Sequence, residues 1–262
     1  MFEYQFMINA FLAGSIIAIL AAISGSFVVL KRYSLLAESL AHSALVGVAI
    51  ALLTDSSPLV VALIVTVLSA WVIEYLRSFY HIYSDAILAI FLSGSLALAI
   101  IIVSLSGSFN SSLFSYLFGS ILSIDMTQVW ILSGAGVISL ALFALFYREL
   151  YFIAFDEEVA KSSGIKVVWL NFLLVTITAV IIALSIRIVG TLLIGALMVI
   201  PVVSALRFKQ SFFKTVLLAL LFALGSTLAG LSISYYLSLP SGAAIVACTL
   251  IVFIISLVVN RR

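Results

Sequence analysis

Charged residues interrupt this chain so seldom that stretches of bilayer length follow one another almost end to end. A hydrocarbon core about 30 Å thick takes roughly 20 apolar residues per helix. Segments of that size fall at 6–30, 34–53, 58–76, 86–105, 127–146, 167–186, 188–206, 215–238 and 241–259, so nine spans are expected. Backbone amides have no water to bond in lipid, and a helix satisfies them within its own segment. The fold class is therefore all-α integral membrane, a polytopic bundle of about nine helices, or eight if one span fails. Composition agrees: 65% of the 262 residues are hydrophobic and 8% charged, against roughly a quarter charged in a soluble domain. The whole chain, 1–262, reads as one transmembrane domain with no room for a soluble one.

Basic residues in short loops stay on the cytoplasmic side. With the N-terminus outside, Lys31, Arg32, Arg77, Arg148, Lys161, Lys166, Arg207, Lys209, Lys214, Arg261 and Arg262 fall inside, and only Arg187 falls outside. A re-entrant or broken helix around Arg187, or near 107–125, would alter the span count and leave this asymmetry standing. The first segment lacks a basic n-region and a small-residue cleavage site, so it reads as a retained span. The single cysteine, Cys248, excludes an intrachain disulfide and a thiolate cluster. Topology accounts for the net charge of +2, which gives no reason to expect nucleic acid as a partner.

The longest polar interruption is "YRELYFIAFDEEVAKSSGIK", Tyr147 to Lys166, on the cytoplasmic side of this topology. Asp156, Glu157 and Glu158 suit the first turn of a short helix, where acidic groups meet the positive end of the dipole, and Gly164 suits its stop. An ordinary solvated loop is the equal alternative. The second interruption, Ser106 to Asp125, contains "SLFSYLFGSIL", too short to span and suited to the interface or a partial dip. Ala10, Gly14, Ala18, Ala22 and Ser26, and again Ser226, Gly230 and Ser234, repeat every four residues as ridges for close helix packing. Pro201 removes a backbone donor within the seventh expected span and should kink it unless the helix has already ended.

Within "SLLAESLAHSALVGVAIALL", Ser34 to Leu53, a carboxylate and an imidazole interrupt an otherwise apolar span. A charge at the centre of such a helix costs on the order of 3 kcal/mol. Glu38 and His42 are four apart and share a face, so they can present oxygen and nitrogen to one divalent ion such as zinc, manganese or ferrous iron. The plainer alternatives are a hydrogen-bonded pair, a Glu38 that reaches water near the helix end, and a proton relay. Elsewhere Asp85 reads as the N-cap of the fourth span with His81 one turn earlier, and Glu74 with Arg77 as a surface pair at a span end. Asn171 and Arg187 flank the sixth span; Arg187 at the outer mouth suits a headgroup, an acidic partner or a carboxylate in the bundle. No G-x-x-x-x-G-K-[ST] loop, nucleophile elbow or H-E-x-x-H helix is present, so the chain is not expected to be an enzyme, and ATP-driven work would need a separate subunit.

Six stretches, in order, resemble the permease subunits of bacterial ABC importers for zinc, manganese and iron. They are "SLLAESLAHSALVGVAIAL", "SDAILAIFLSGSLALAI", "LFSYLFGSIL", "FDEEVAKSSGI", "RIVGTLLIGALMVIPVVSA" and "LPSGAAIVACTLIVFIISL". The resemblance implies a type II ABC importer-like permease in the bacterial plasma membrane. Its implied partners are a second copy of itself, two cytoplasmic ATPase subunits and an extracellular metal-binding protein. It implies that Glu38 and His42 are metal ligands in the translocation path, and that Asp156, Glu157, Glu158, Ala160 and Gly164 belong to the ATPase-coupling segment. Many relatives carry Asp where this chain has Glu38, which moves the oxygen outward. The metal is cargo, with zinc ahead of manganese or iron, and no permanently bound cofactor is expected. A neutral His42 is required for ligation, so affinity should fall as the ring gains a proton. The rival functions are an ATP-independent channel or proton-coupled transporter using the same pair, and a non-transporting scaffold.

Overall fold

The computed structural model describes residues 4–80, 82–105, 111–120, 125–191 and 193–259. His81, Arg261, Arg262 and parts of the 106–125 interruption lie outside the described residues. Twelve helices are present among those described: α1 (Gln5–Leu30), α2 (Leu36–Leu53), α3 (Pro58–Tyr80), α4 (Ser84–Leu105), α5 (Ser111–Phe118), α6 (Met126–Leu145), α7 (Tyr147–Phe155), α8 (Glu157–Ser162), α9 (Val167–Val189), α10 (Ile194–Leu206), α11 (Phe212–Leu237) and α12 (Ser241–Val259). Eight are long and apolar enough to cross a membrane: α1 to α4, α6, α9, α11 and α12.

The seventh expected span, 188–206, is where the fold departs from the hydropathy reading. The apolar run breaks at Gly190, with φ 90° and ψ 156°, and resumes as α10, only 13 residues long. At a rise of 1.5 Å per residue α10 covers about 20 Å, short of the bilayer core. The break has a tertiary cause. The C-terminal end of α5 and Gly119 lie across it, and a Cβ on Gly190 would sit 2.4 Å from the Leu117 carbonyl oxygen. Gly119, at φ 76°, meets the Ile188 carbonyl in the same way. The amide of Thr191 donates to the Tyr116 carbonyl (2.9 Å), and that of Ser120 donates to the Arg187 carbonyl (3.1 Å). Ser241, at the start of α12, closes the knot by donating to the Ile188 carbonyl at 3.0 Å.

α10 runs from the break, where Gly190 meets α5, toward the far end of the bundle. The chain next enters α11 at Phe212, whose ring contacts Phe27, Tyr147 and Tyr151. That second end also gathers Lys31, Arg77 and Glu157, so it is the basic end of the molecule. Pro201 is buried inside α10, which stays helical through it.

Burial sorts the spans into two shells. Over an 18-residue stretch of each, α1, α2 and α9 are 56, 72 and 67% buried, whereas α3, α4 and α6 are each 28% buried. The outer helices turn apolar rows such as Val60, Ile64, Leu68 and Trp71 outward, as a lipid-facing surface does. The two ridges of small residues are buried, and α1 packs on α10 and α11. Hydroxyls tie the centre together: Ser24 to Thr178 at 2.9 Å between α1 and α9, and Ser43 to Ser95 at 3.0 Å between α2 and α4. Interhelical bonds of this kind contribute about 0.6–2 kcal/mol each in a membrane.

Candidate metal path and coupling segment

α2 carries both expected ligands and is the most enclosed of the spans, held by α3, α4, α9 and α10. Its first turn begins at Leu36, and Glu38 there is exposed while His42, one turn on, retains 4% of its surface. His42 Nδ1 is buried without a hydrogen-bond partner among the described residues. The polar neighbours on α2 do not serve it: Ser39 donates to the Leu35 and Leu88 carbonyls, and Ser43 to the Ser39 carbonyl. An imidazole nitrogen deprived of water and of any partner is costly to bury, and a metal ion is one group that satisfies it. Gly195, in the first turn of α10, lies against Glu38: a Cβ there would be 3.4 Å from the Glu38 Cβ. The break at Gly190 therefore sets the position of a helix that touches the ligand-bearing turn. No group of three or more His, Cys, Asp or Glu with metal-binding geometry occurs among the described residues, so one chain brings two candidate ligands.

The segment expected to couple to an ATPase is two helices. The sequence reading has one short helix; the structure adds α7 before it, whose Leu150, Ile153 and Ala154 are buried against the bundle. Asp156 caps α8, accepting from the amides of Glu158 (3.1 Å) and Val159 (3.0 Å). Ala160 is fully buried, and Gly164 turns the chain at φ 82°. Glu158 faces outward with two apolar side chains unmarked by the sequence reading, Phe155 (73% exposed) and Val159 (46%).

Glu157 points the other way. Its carboxylate meets Lys31 at 3.3 Å and accepts from Arg77 at 3.1 and 3.2 Å and from the Asn171 amide at 3.1 Å. Lys31 also donates to Asn171. Arg77 donates to Glu74 at 2.6 and 3.1 Å, and Ser78 donates to the same carboxylate at 2.9 Å. Glu74 is fully buried, which corrects the reading of Glu74 and Arg77 as a surface pair. The Tyr33 ring stacks under both cations, 5.3 Å from Lys31 and 5.4 Å from Arg77. Burial, with Arg77 adding to it, pushes Lys31 down to about 8 against the pull of Glu157. Burial alone would raise the Glu157 carboxyl, but Lys31, Arg77 and their hydrogen bonds hold it below the ordinary range.

At the opposite end Arg187 lines a cavity of about 400 Å³ with Ser57, Tyr116, Asp125, Thr127 and Gln128. Asp85 lies inside the first turn of α4, which starts at Ser84, two residues earlier than the cap assignment requires.

The fold is a bundle of buried and lipid-facing helices with a short, partly exposed helix at its basic end. The model of the ABC 3 transport family matches residues 3–260, and the chain belongs to that family. It is a permease subunit, multi-pass in the bacterial plasma membrane, with ATP hydrolysis left to a separate subunit. A "Probable metal transport system membrane protein" of Treponema pallidum is 38% identical over 259 residues, 98% of this chain and 97% of that one. The manganese import system permease protein ScaB of Streptococcus gordonii is 29% identical, covering 97% of this chain and 91% of its own. The high-affinity zinc uptake system membrane protein ZnuB of Haemophilus influenzae is also 29% identical, at 99% of both. Among solved structures, PsaBC from Streptococcus pneumoniae in complex with Fab matches with a TM-score of 0.86 and 29% identity, over 97% of this chain and 92% of that one.

Proposed function

We propose that this chain is the membrane half of an ATP-driven importer of divalent transition-metal ions, and that the ion passes Glu38 and His42. The observation that carries the reading is the His42 imidazole, nearly sealed from solvent, its Nδ1 unpartnered, one turn from an exposed carboxylate on the most enclosed span. One carboxylate and one imidazole make a moderate site rather than a closed structural one, as an ion in transit requires. A second copy would bring the same pair again, which supports a homodimer around the path. Relatives of equal identity are named for manganese and for zinc. Imidazole suits zinc and carboxylate suits manganese; zinc is the first cargo to test, ahead of manganese and iron.

On this reading the basic end is cytoplasmic, and Phe155, Glu158 and Val159 form the surface offered to the ATPase. An extracellular binding protein delivers the ion to the opposite face. Vesicles carrying the permease, its ATPase and the binding protein should take up zinc only with ATP. Uptake that persists undiminished when the ATPase is omitted would establish the channel or proton-coupled alternative instead.

A further inference from the structure

The proposed function gives the coupling segment a docking surface but does not say how its movement reaches the metal helix. The Glu157 carboxylate touches three separate elements: Lys31 at the α1–α2 turn, Arg77 on α3 and Asn171 on α9. Two of the three, α3 and α9, pack on α2. The Lys31 contact is the most direct. Lys31 and Tyr33 lie in the same tight turn, fixed by bonds from the Tyr33 amide to the Val28 carbonyl (2.9 Å) and from the Leu36 amide to the Tyr33 carbonyl (2.8 Å). Leu36 begins α2, and Glu38 is in its first turn. A rigid chain of contacts thus runs from α8 through one carboxylate to the turn that carries the metal-binding residue.

The chemistry suits a latch more than a simple anchor. Lys31 and Arg77 are 5% and 15% exposed at their side chains, and Glu74 is fully buried. If α8 withdrew Glu157, the Glu74 carboxylate would remain to answer Arg77, but the Lys31 ammonium would keep only the Asn171 amide oxygen as a hydrogen-bond partner among the described residues. Separating partly buried charges is costly, because each loses its partner without regaining full solvation. Displacement of α8 is therefore resisted unless the Lys31 turn follows.

We propose that Glu157 is a positioning residue for transport, a charged latch that makes α8 and the first turn of α2 move together, so that ATPase movement is transmitted to the metal site. The inference rests on the coupling role proposed above for this segment.

The test compares metal ions imported per ATP hydrolysed in vesicles containing the permease, its ATPase and the binding protein, for wild type and Glu157→Gln. The substitution keeps the size, removes the charge and replaces one of the two accepting oxygens by an N–H donor that faces the cations. The account expects complex assembly and ATP hydrolysis to persist while ions per ATP fall on the order of tenfold, within the usual range of coupling between sites. Glu157→Asp should recover part of the ratio, and Lys31→Gln should lower it similarly, with the double variant no worse than either alone. A residue that merely held the fold together would lower assembly and melting temperature and leave the ratio unchanged. An unchanged ratio in both Glu157→Gln and Lys31→Gln overturns the latch and leaves the importer reading intact. If Glu157→Gln does not assemble, Lys31→Gln breaks the same contact from the other side and decides the matter. Wild-type vesicles without ATP-driven uptake would overturn the importer reading and the latch with it.

Discussion

Replacing Gly190 by alanine attacks the knot that places α10 against the turn that carries Glu38. Its φ of 90° and ψ of 156° lie in a region almost reserved to glycine, and a side chain there costs about 1–3 kcal/mol. The added Cβ would also sit 2.4 Å from the Leu117 oxygen, 2.6 Å from the Gly119 nitrogen and 2.6 Å from the Phe118 carbonyl carbon. All three are backbone atoms, which cannot swing aside like a side-chain tip, so forced shifts add about 1–3 kcal/mol. Together Gly190→Ala should destabilise by about 2–6 kcal/mol. Gly94→Ala is the control: it lies within α4 with nothing inside 4 Å, and alanine in a helix gains up to ~1 kcal/mol over glycine. Thermal unfolding of the detergent-purified permease should show a clear drop for Gly190→Ala and none for Gly94→Ala. Because Gly195 lies on Glu38, ATP-driven uptake should fall in the first variant as well. A Gly190→Ala protein melting with or above wild type would refute the claim that α5 and the α9–α10 break are locked backbone to backbone.

Other consequences are open to measurement. Asp156→Ala removes the side chain that accepts from two amides at the start of α8, so the helix should lose about 1 kcal/mol, read as faster amide hydrogen exchange over 157–162 with the bundle unchanged. Val159→Asp with Phe155→Ser should weaken ATPase binding in a pull-down without lowering the melting temperature, since both side chains are exposed. Lys31, held near 8 against an ordinary 10.5, binds fewer protons folded than unfolded between those values, so its contribution to stability rises with pH across that window. Lys31→Met should abolish that rise in melting temperature. Glu157 acts oppositely: its stabilisation is present above 4.5 and lost as pH falls through its depressed folded value, a loss that Glu157→Gln should lack.

Eight spans could be read from hydropathy because each is a long apolar run with few charges, and length alone decides such cases. The segment from 188 to 206 could not. Its apolar run is unbroken in composition, and the turn at Gly190 exists because α5 crosses it, a contact between residues about seventy apart in sequence. The Glu38 and His42 spacing predicted a shared helix face, and the enclosure of α2 gives that pair its setting. The polar cluster at the basic end was legible only in fragments. Glu74 and Arg77 announce themselves by i,i+3 spacing, but the third member, Glu157, comes 80 residues after Arg77, and Asn171 looked like an isolated flank. A usable signal was there: Lys31, Arg77, Glu157 and Asn171 all fall at ends that the basic-residue asymmetry assigns to the same side. α7 stayed hidden because its mixture of Arg, Glu and aromatic residues resembles a loop until the bundle supplies a surface for Leu150 and Ile153.

The most direct test of the metal path is uptake by the Glu38→Ala, His42→Ala double variant, in vesicles with ATPase and binding protein and with zinc and manganese in competition. The account predicts that uptake of both ions is lost while the complex still assembles and hydrolyses ATP. Wild-type uptake rates in that variant would contradict it and place the ion on another route through the bundle.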